Sequence, residues 1–399
     1  MTTNHTPYIA SEQVTDLEAV DRRHSMKAHR MAWLLTAGDP LADAAIAELD
    51  LYGTRARQAL DVGLRKGLAG LGGRPPEAIA ALLKQVEATP SQVDPLMLHR
   101  GDVVSLSVPP LWYRLCAITS ALTYTCASPA TARLMVRTRP TPTVSHWLVE
   151  TGLWARQIIQ PGGLLHGGPG YVAIVEARLH QARMRAAALA DWDTGVPGLP
   201  IGQLDTARTW LGLTLIAYQA LAAVGIDITG EEERRLYQYW AHVAHLLGLD
   251  ETLYRDIADH ADARRLQHLL DAMPPTPDGN SRTAIAAMVD AQAHATAHAP
   301  GAVLSQHQLQ DVIRSVLRRS LGNTAADRLG IADVPAPADL TPLISTLNRQ
   351  ARYWQTFSPA SAQAARRQAA DEPRPESDPT AAVVPLGVAF QRRAGTPAA

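Results

Sequence analysis

The residues most able to do chemistry lie in GGPGYVAIVEARLHQARMRAAALADWD, which begins at Gly167. After its glycine break, Tyr171, Ile174, Val175, Leu179 and Ala182 form an apolar stripe at helical spacing, and His180 sits one residue off that stripe. The imidazole therefore faces the rim of the stripe or a cleft beside it. Arg178, Arg183 and Arg185 crowd the same helix, and only Glu176 is near enough in sequence to balance them. Such an excess of positive charge beside one histidine suits a cofactor that brings its own carboxylates, as haem propionates do, with a ring nitrogen on the iron. It suits equally a hydrogen-bonded rim histidine above a solvated arginine face. The helix alone leaves both readings open.

Other histidines and the cysteines offer less. His294 and His298 have the i, i+4 spacing of a metal pair, but no glutamate follows His294 and no third ligand is evident, so an exposed polar face is expected. His242 and His245, near Trp240, read as core or pocket-lining residues. Cys116 and Cys126 fall on one expected helix about 15 Å apart, too far to pair, and read as buried reduced thiols. There is no C-x-x-C-H for covalent haem attachment.

The elements that must position these groups are helices. Aromatic residues make up only 5% of the chain, alanine and leucine dominate, and no segment alternates like a strand, so the fold class is all-α. Asp39 before Pro40 reads as an N-cap and first-turn pair opening a helix through PLADAAIAEL. Further helices are expected over about 54 to 69, 76 to 88, 109 to 126, 129 to 138, 144 to 158, 170 to 191 and 203 to 224. Others follow over 230 to 248, 250 to 271, 279 to 298, 304 to 320 and 340 to 357. Breakers such as Pro161-Gly162-Gly163 and Pro274 to Gly279 fall between them. Residues 31–357 form the expected domain, after a partly ordered extension at 1–30 and before a tail at 358–399 whose composition, as in QAADEPRPESDPT, does not support a packed core.

Composition bounds the partners. With 399 residues, 46% of them hydrophobic, the chain can bury one large core. Lysine and arginine number 37 against 38 acidic residues, so no net field gathers nucleic acid. No stretch of about 18 residues is apolar enough for a membrane span, and the first residues show no secretory or twin-arginine signal, so a cytoplasmic location is the expectation.

The order of motifs resembles that of latex clearing proteins and MpaB-type oxygenases. Arg178-Leu179-His180-Gln181-Ala182-Arg183-Met184-Arg185 is similar to the R-L-L-H-A-x-V-R of their long helix, with the histidine one place earlier here and Gln181 at the pattern's histidine position. GDPLADA from Gly38 resembles an early segment, VDPLMLHRGD from Val93 a second, VETGLW followed by PGGL a third, Pro200-Ile201-Gly202-Gln203 the P-I-N-Q segment, and GIDITGEEERRLYQYWAHVAHLLGL from Gly225 a helix pair. The resemblance spans roughly residues 35 to 250. It implies a globin-like helical core with additional helices around a haem pocket, a non-covalent haem b with His180 as the axial iron ligand, and dioxygen as co-substrate. Arg178, Arg183, Arg185, Trp147 and Gln203 are then the residues expected around the cofactor.

The departures bear on the reaction. Latex clearing proteins resemble R-x-x-K-T before Thr151, their lysine reaching the distal face of the iron; this sequence has Trp147-Leu148-Val149-Glu150-Thr151, and Gly202 replaces the usual asparagine. Glu150 becomes the candidate acid or base and Thr151 the candidate hydrogen-bond donor, with bland alternatives in a wet face and a bond back to the helix. His146 is a second distal candidate. The expected function is a haem-dependent oxygenase acting on a small apolar molecule, isoprenoid or polyketide-like, rather than on a polymer. The alternative is a haem-binding sensor or gas-binding protein without turnover.

Overall fold

A computed structural model describes residues 30 to 360 apart from 31, 89, 91, 92, 139 to 141, 190 to 197, 274, 275 and 359. The expected extension before residue 30 and the tail beyond 360 lie outside the described residues. Among the described residues every regular element is helical, and no helix is long and apolar enough to cross a membrane.

The first long helix, α1, is Pro40–Tyr52, and it starts where the sequence says it should: the Asp39 side chain accepts from Ala42 N at 3.1 Å and proline occupies the first turn. Helices α2 (Thr54–Lys66), α3 (Glu77–Glu87), α4 (Pro95–Arg100) and the single turn α5 (Val103–Leu106) follow. Sequence periodicity passed over the last two because each is too short to show a period. Next come α6 (110–125), α7 (Pro129–Thr138), α8 (Pro142–Ile159) and α9 (Pro169–Leu189). The chain continues through α10 (203–223), α11 (Gly230–Leu246), α12 (His260–Ala272), α13 (Gly279–Ala297), α14 (Gln306–Leu321), α15 (Asn323–Arg328) and α16 (Thr341–Phe357).

Two expectations need correction. The helix expected over 250–271 is broken: Asp250 caps a short 3₁₀ turn, Glu251–Leu253, and α12 begins only at His260, where Asp259 accepts from Asp262 N at 2.9 Å. Two aspartates able to bond local backbone amides make two starts out of one apolar pattern. The helices α6 and α10 are not uniformly α either, since Tyr113–Ile118 and Gly212–Ile216 are wound as π-helix. They cross closely at Gly212, where an added Cβ would lie 2.8 Å from Ala121 O.

Three fully buried tryptophans tie the core together, each with its indole N–H satisfied as burial requires. Trp154 donates to Ala173 O at 3.3 Å, Trp210 to Trp240 O at 2.8 Å, and Trp240 to Asp102 Oδ2 at 2.9 Å. Threonines inside α6 and α10 return their hydroxyls to their own helices, as Thr123 does to Thr119 O at 2.8 Å and Thr214 to Trp210 O at 2.9 Å. Both cysteines are free and buried, as expected, and burial pushes the Cys116 thiol far up.

Candidate functional site

Helices α8 and α9 are joined by the glycine-rich turn at 160–168 and return antiparallel. A Cβ on Gly170 would stand only 2.6 Å from Gln157 O, so glycine is what lets the two backbones touch there. Three residues further on, Ala173 O receives the Trp154 indole. Both contacts give the same pairing register. Continued along the pair, that register puts Trp147 at the level of His180, ten residues from the Gly170 contact on each helix, or about 15 Å along the axes.

This level is well shielded. Trp147 and Thr151, one turn apart on α8, are 3% and 1% exposed, and Glu150 beside them is half-buried. His180 is half-buried as a residue, yet its Nε2 atom is buried. One turn further along α9, Met184 packs against an apolar cluster of Leu134, Ala188 and Ile201. His146 lies on α8, but its side chain is outside the described residues.

The arginines on α9 divide. Arg178 and Arg185 share one strip of the helix, and both are buried against α1. Arg178 Nε donates to Asp39 Oδ2 at 2.5 Å and Nη2 to Asp39 Oδ1 at 2.9 Å, while Nη1 reaches Gln85 Oε1 at 2.5 Å. Arg185 Nη2 meets Asp43 Oδ1 at 2.6 Å, and its Nη1 donates to Ile201 O at 2.5 Å. Their charges are thus balanced by carboxylates 139 and 142 residues away in sequence, where only Glu176 was near enough along the chain to be expected. Glu176 itself is held by Arg57 at 2.9 Å. Arg178 and Arg185 spend these donors on protein partners, whereas Arg183 is exposed. Gln203, also expected at the cofactor, spends its amide on Gly38 O and Gly248 O at 2.9 and 3.0 Å and accepts from Asp250 N at 2.8 Å. It ties the Gly38 loop and the Gly248–Asp250 turn to the start of α10.

The remaining histidines have structural surroundings. Burial, then the neighbouring His245, drives the His242 imidazole down to about 4, against a hydrogen bond to the Leu164 carbonyl. His245 Nε2 lies 2.9 Å from Gln85 O and is likewise lowered by burial. His294 and His298 lie on an exposed face with ring centroids 4.1 Å apart and planes tilted by 37°, and with His298 Nδ1 2.8 Å from His294 O. Among the described residues no three histidine, cysteine or acidic side chains converge as a metal cluster.

Sequence reasoning passed over Asp102. It is 2% exposed, caps α5 through Val104 N and Ser105 N, both at 3.1 Å, and also takes the Trp240 indole. Desolvation raises its carboxyl above the usual range. The Asp-x-x-Ser spacing from Asp102 was the available signal.

Residues 148–353 match the family described as ER-bound oxygenase mpaB/B′/Rubber oxygenase, catalytic domain, a span of more than half of the 399 residues. The chain belongs to this family. The matched span holds Glu150, Thr151, His180 and the three arginines, while Trp147 falls just before it. A rubber oxygenase from Streptomyces sp. (strain K30) is 24% identical over 286 residues, covering 71% of this chain but 65% of that protein's own length, less than two thirds. The structure of latex clearing protein LCP in the closed state aligns with a TM-score of 0.56 at 19% identity, over 88% of this chain and 89% of that one. At that identity the likeness establishes a shared fold, and the all-helical class read from the sequence agrees with it.

Proposed function

We propose that this chain is a haem b-dependent oxygenase that uses dioxygen on a small apolar molecule, with His180 as the axial ligand. The observation that carries the reading is the buried Nε2 of His180, on a helix whose packing against α8 sets His180 at the level of the buried Trp147. The donor set fits the group. Haem iron asks the protein for one imidazole and an apolar slot, whereas a free divalent ion asks for three or more convergent ligands. Here one imidazole lies one helical turn before Met184, which packs against the Leu134, Ala188 and Ile201 cluster.

Haem, when bound, supplies the one-electron and dioxygen chemistry that amino-acid side chains lack. The protein's part is the rest. The His180 ring offers Nε2 to a metal only in its neutral form. Buried Trp147 and Thr151 keep water from this stretch of α8, and the Thr151 hydroxyl is assigned as a hydrogen-bond donor for a polar atom arriving there. Glu150, half-buried on the same face of α8, is the group placed to hold or pass a proton. Arg183, exposed on α9, is the arginine left to meet a propionate. The apolar cluster favours a hydrocarbon-like substrate.

The test is oxygen uptake and product analysis with the hemin-loaded protein and a panel of unsaturated isoprenoid and polyketide-like molecules. Oxygen-dependent products that disappear in His180→Ala support the reading. Loaded protein that consumes no oxygen with any of them, while binding it reversibly, would favour a gas-binding role.

A further inference from the structure

The two ion pairs that bind α9 to α1 have no part in the chemistry above, and their placement gives them another role. Asp39 and Asp43 are one turn apart on α1, and their partners Arg178 and Arg185 are two turns apart on α9. One such pair would fix a point on α9. Two pairs on the same strip fix its rotation about its own axis and its slide along α1. His180 lies between the two arginines in sequence and about 200° round the helix from Arg178, on the flank towards α8.

We propose that Asp39 and Asp43 are positioning residues for the His180 imidazole, acting through Arg178 and Arg185 as a two-point clamp on α9. This rests on the reading of His180 as the axial ligand. The clamp has little slack. Arg178 is bidentate on Asp39, and a Cβ on Gly248 would fall 2.4 Å from Arg178 Nε and 2.6 Å from Asp39 Oδ2, so the pair is walled in by a turn that only glycine, at φ +72°, fills without strain. Arg185 is held on two sides, by Asp43 and by Ile201 O. Leverage makes the clamp matter: a rotation of about 20° carries a side-chain tip about 5 Å from the helix axis through nearly 2 Å. That displacement exceeds the tolerance of a directional iron–nitrogen bond.

Asp43→Asn is the informative variant, because the Asp43 side chain is 43% exposed and the substitution keeps its size while removing its charge. Arg185→Lys complements it by keeping charge but losing the planar fork. Each is loaded with hemin and compared with the wild-type holoprotein by electron paramagnetic resonance of the ferric form and by the rate of haem transfer to an acceptor apoprotein, with helical circular dichroism as a check on folding. We expect wild-type helicity, a changed g-value anisotropy that reports a turned imidazole, and haem release faster by about tenfold, with Asp43→Glu restoring both. Variants with the wild-type resonance and release rate overturn the clamp while leaving the haem reading intact. Wild-type protein that takes up no hemin overturns both.

Discussion

Replacing Gly170 by alanine adds one methyl group at the point where α8 and α9 are closest. That Cβ would lie 2.6 Å from Gln157 O and 2.8 Å from Ile158 Cα, about 0.8 Å short of an ordinary contact at 3.4 Å, and both neighbours are backbone that no rotamer change can move aside. Two effects oppose each other. Alanine in place of glycine in a helix gains up to about 1 kcal/mol, and forcing an extra carbon into a packed interface costs about 1–3 kcal/mol. The clash wins because α8 must move as a unit, so a net loss of about 1–2 kcal/mol is expected. Urea unfolding followed by circular dichroism should show a lower midpoint with an unchanged slope. Loosening the pair should also weaken hemin binding, since His180 and Trp147 are related through this contact. An unchanged or raised midpoint would refute the close approach, and with it the register that sets Trp147 opposite His180.

His180→Ala should lose most of its haem, measured as extracted haem per chain, whereas Arg183→Ala should lower retention only modestly. Glu150→Lys should move the ferric spectrum from high spin towards six-coordinate low spin, because an amine is a stronger-field ligand than a carboxylate; an unaltered spectrum would remove Glu150 from the iron's distal side. His242 titrates at 6.5 when unfolded and at about 4 in the fold, so the unfolded chain holds the extra proton between those values. Its contribution to stability is therefore full above pH 6.5 and falls away as pH drops through 4, by up to about 3 kcal/mol; His242→Gln should flatten that part of the stability profile measured by urea unfolding. Truncation after Ser358 should leave the melting curve and haem content unchanged, on the composition of the tail.

The sequence showed the helices well because their breakers fall between apolar periods, and Asp39-Pro40 and the Gly167–Gly170 break mark real helix starts. It showed His180 at the edge of a stripe, as the structure has it. It did not show the partners of Arg178 and Arg185, which lie 139 and 142 residues away, so the same arginines looked uncompensated. The GDPLADA segment carried the missing half: two aspartates four apart match two arginines seven apart, each pair on one helical strip. The π-wound turns were illegible because nothing in Tyr113–Ile118 or Gly212–Ile216 departs from α-helical composition; the second begins at Gly212, where α10 crosses α6 at Ala121. The burial of His180 Nε2 likewise depends on tertiary packing that a single helix's pattern does not carry.

The absorption spectrum of the purified protein, ferric and then dithionite-reduced, with and without added hemin, tests the central claim most directly. A Soret band with one haem b per chain, extractable into acidified organic solvent and lost in His180→Ala, is the expected result. A colourless protein that takes up no hemin, or a His180→Ala variant with full occupancy and the wild-type spectrum, would contradict it.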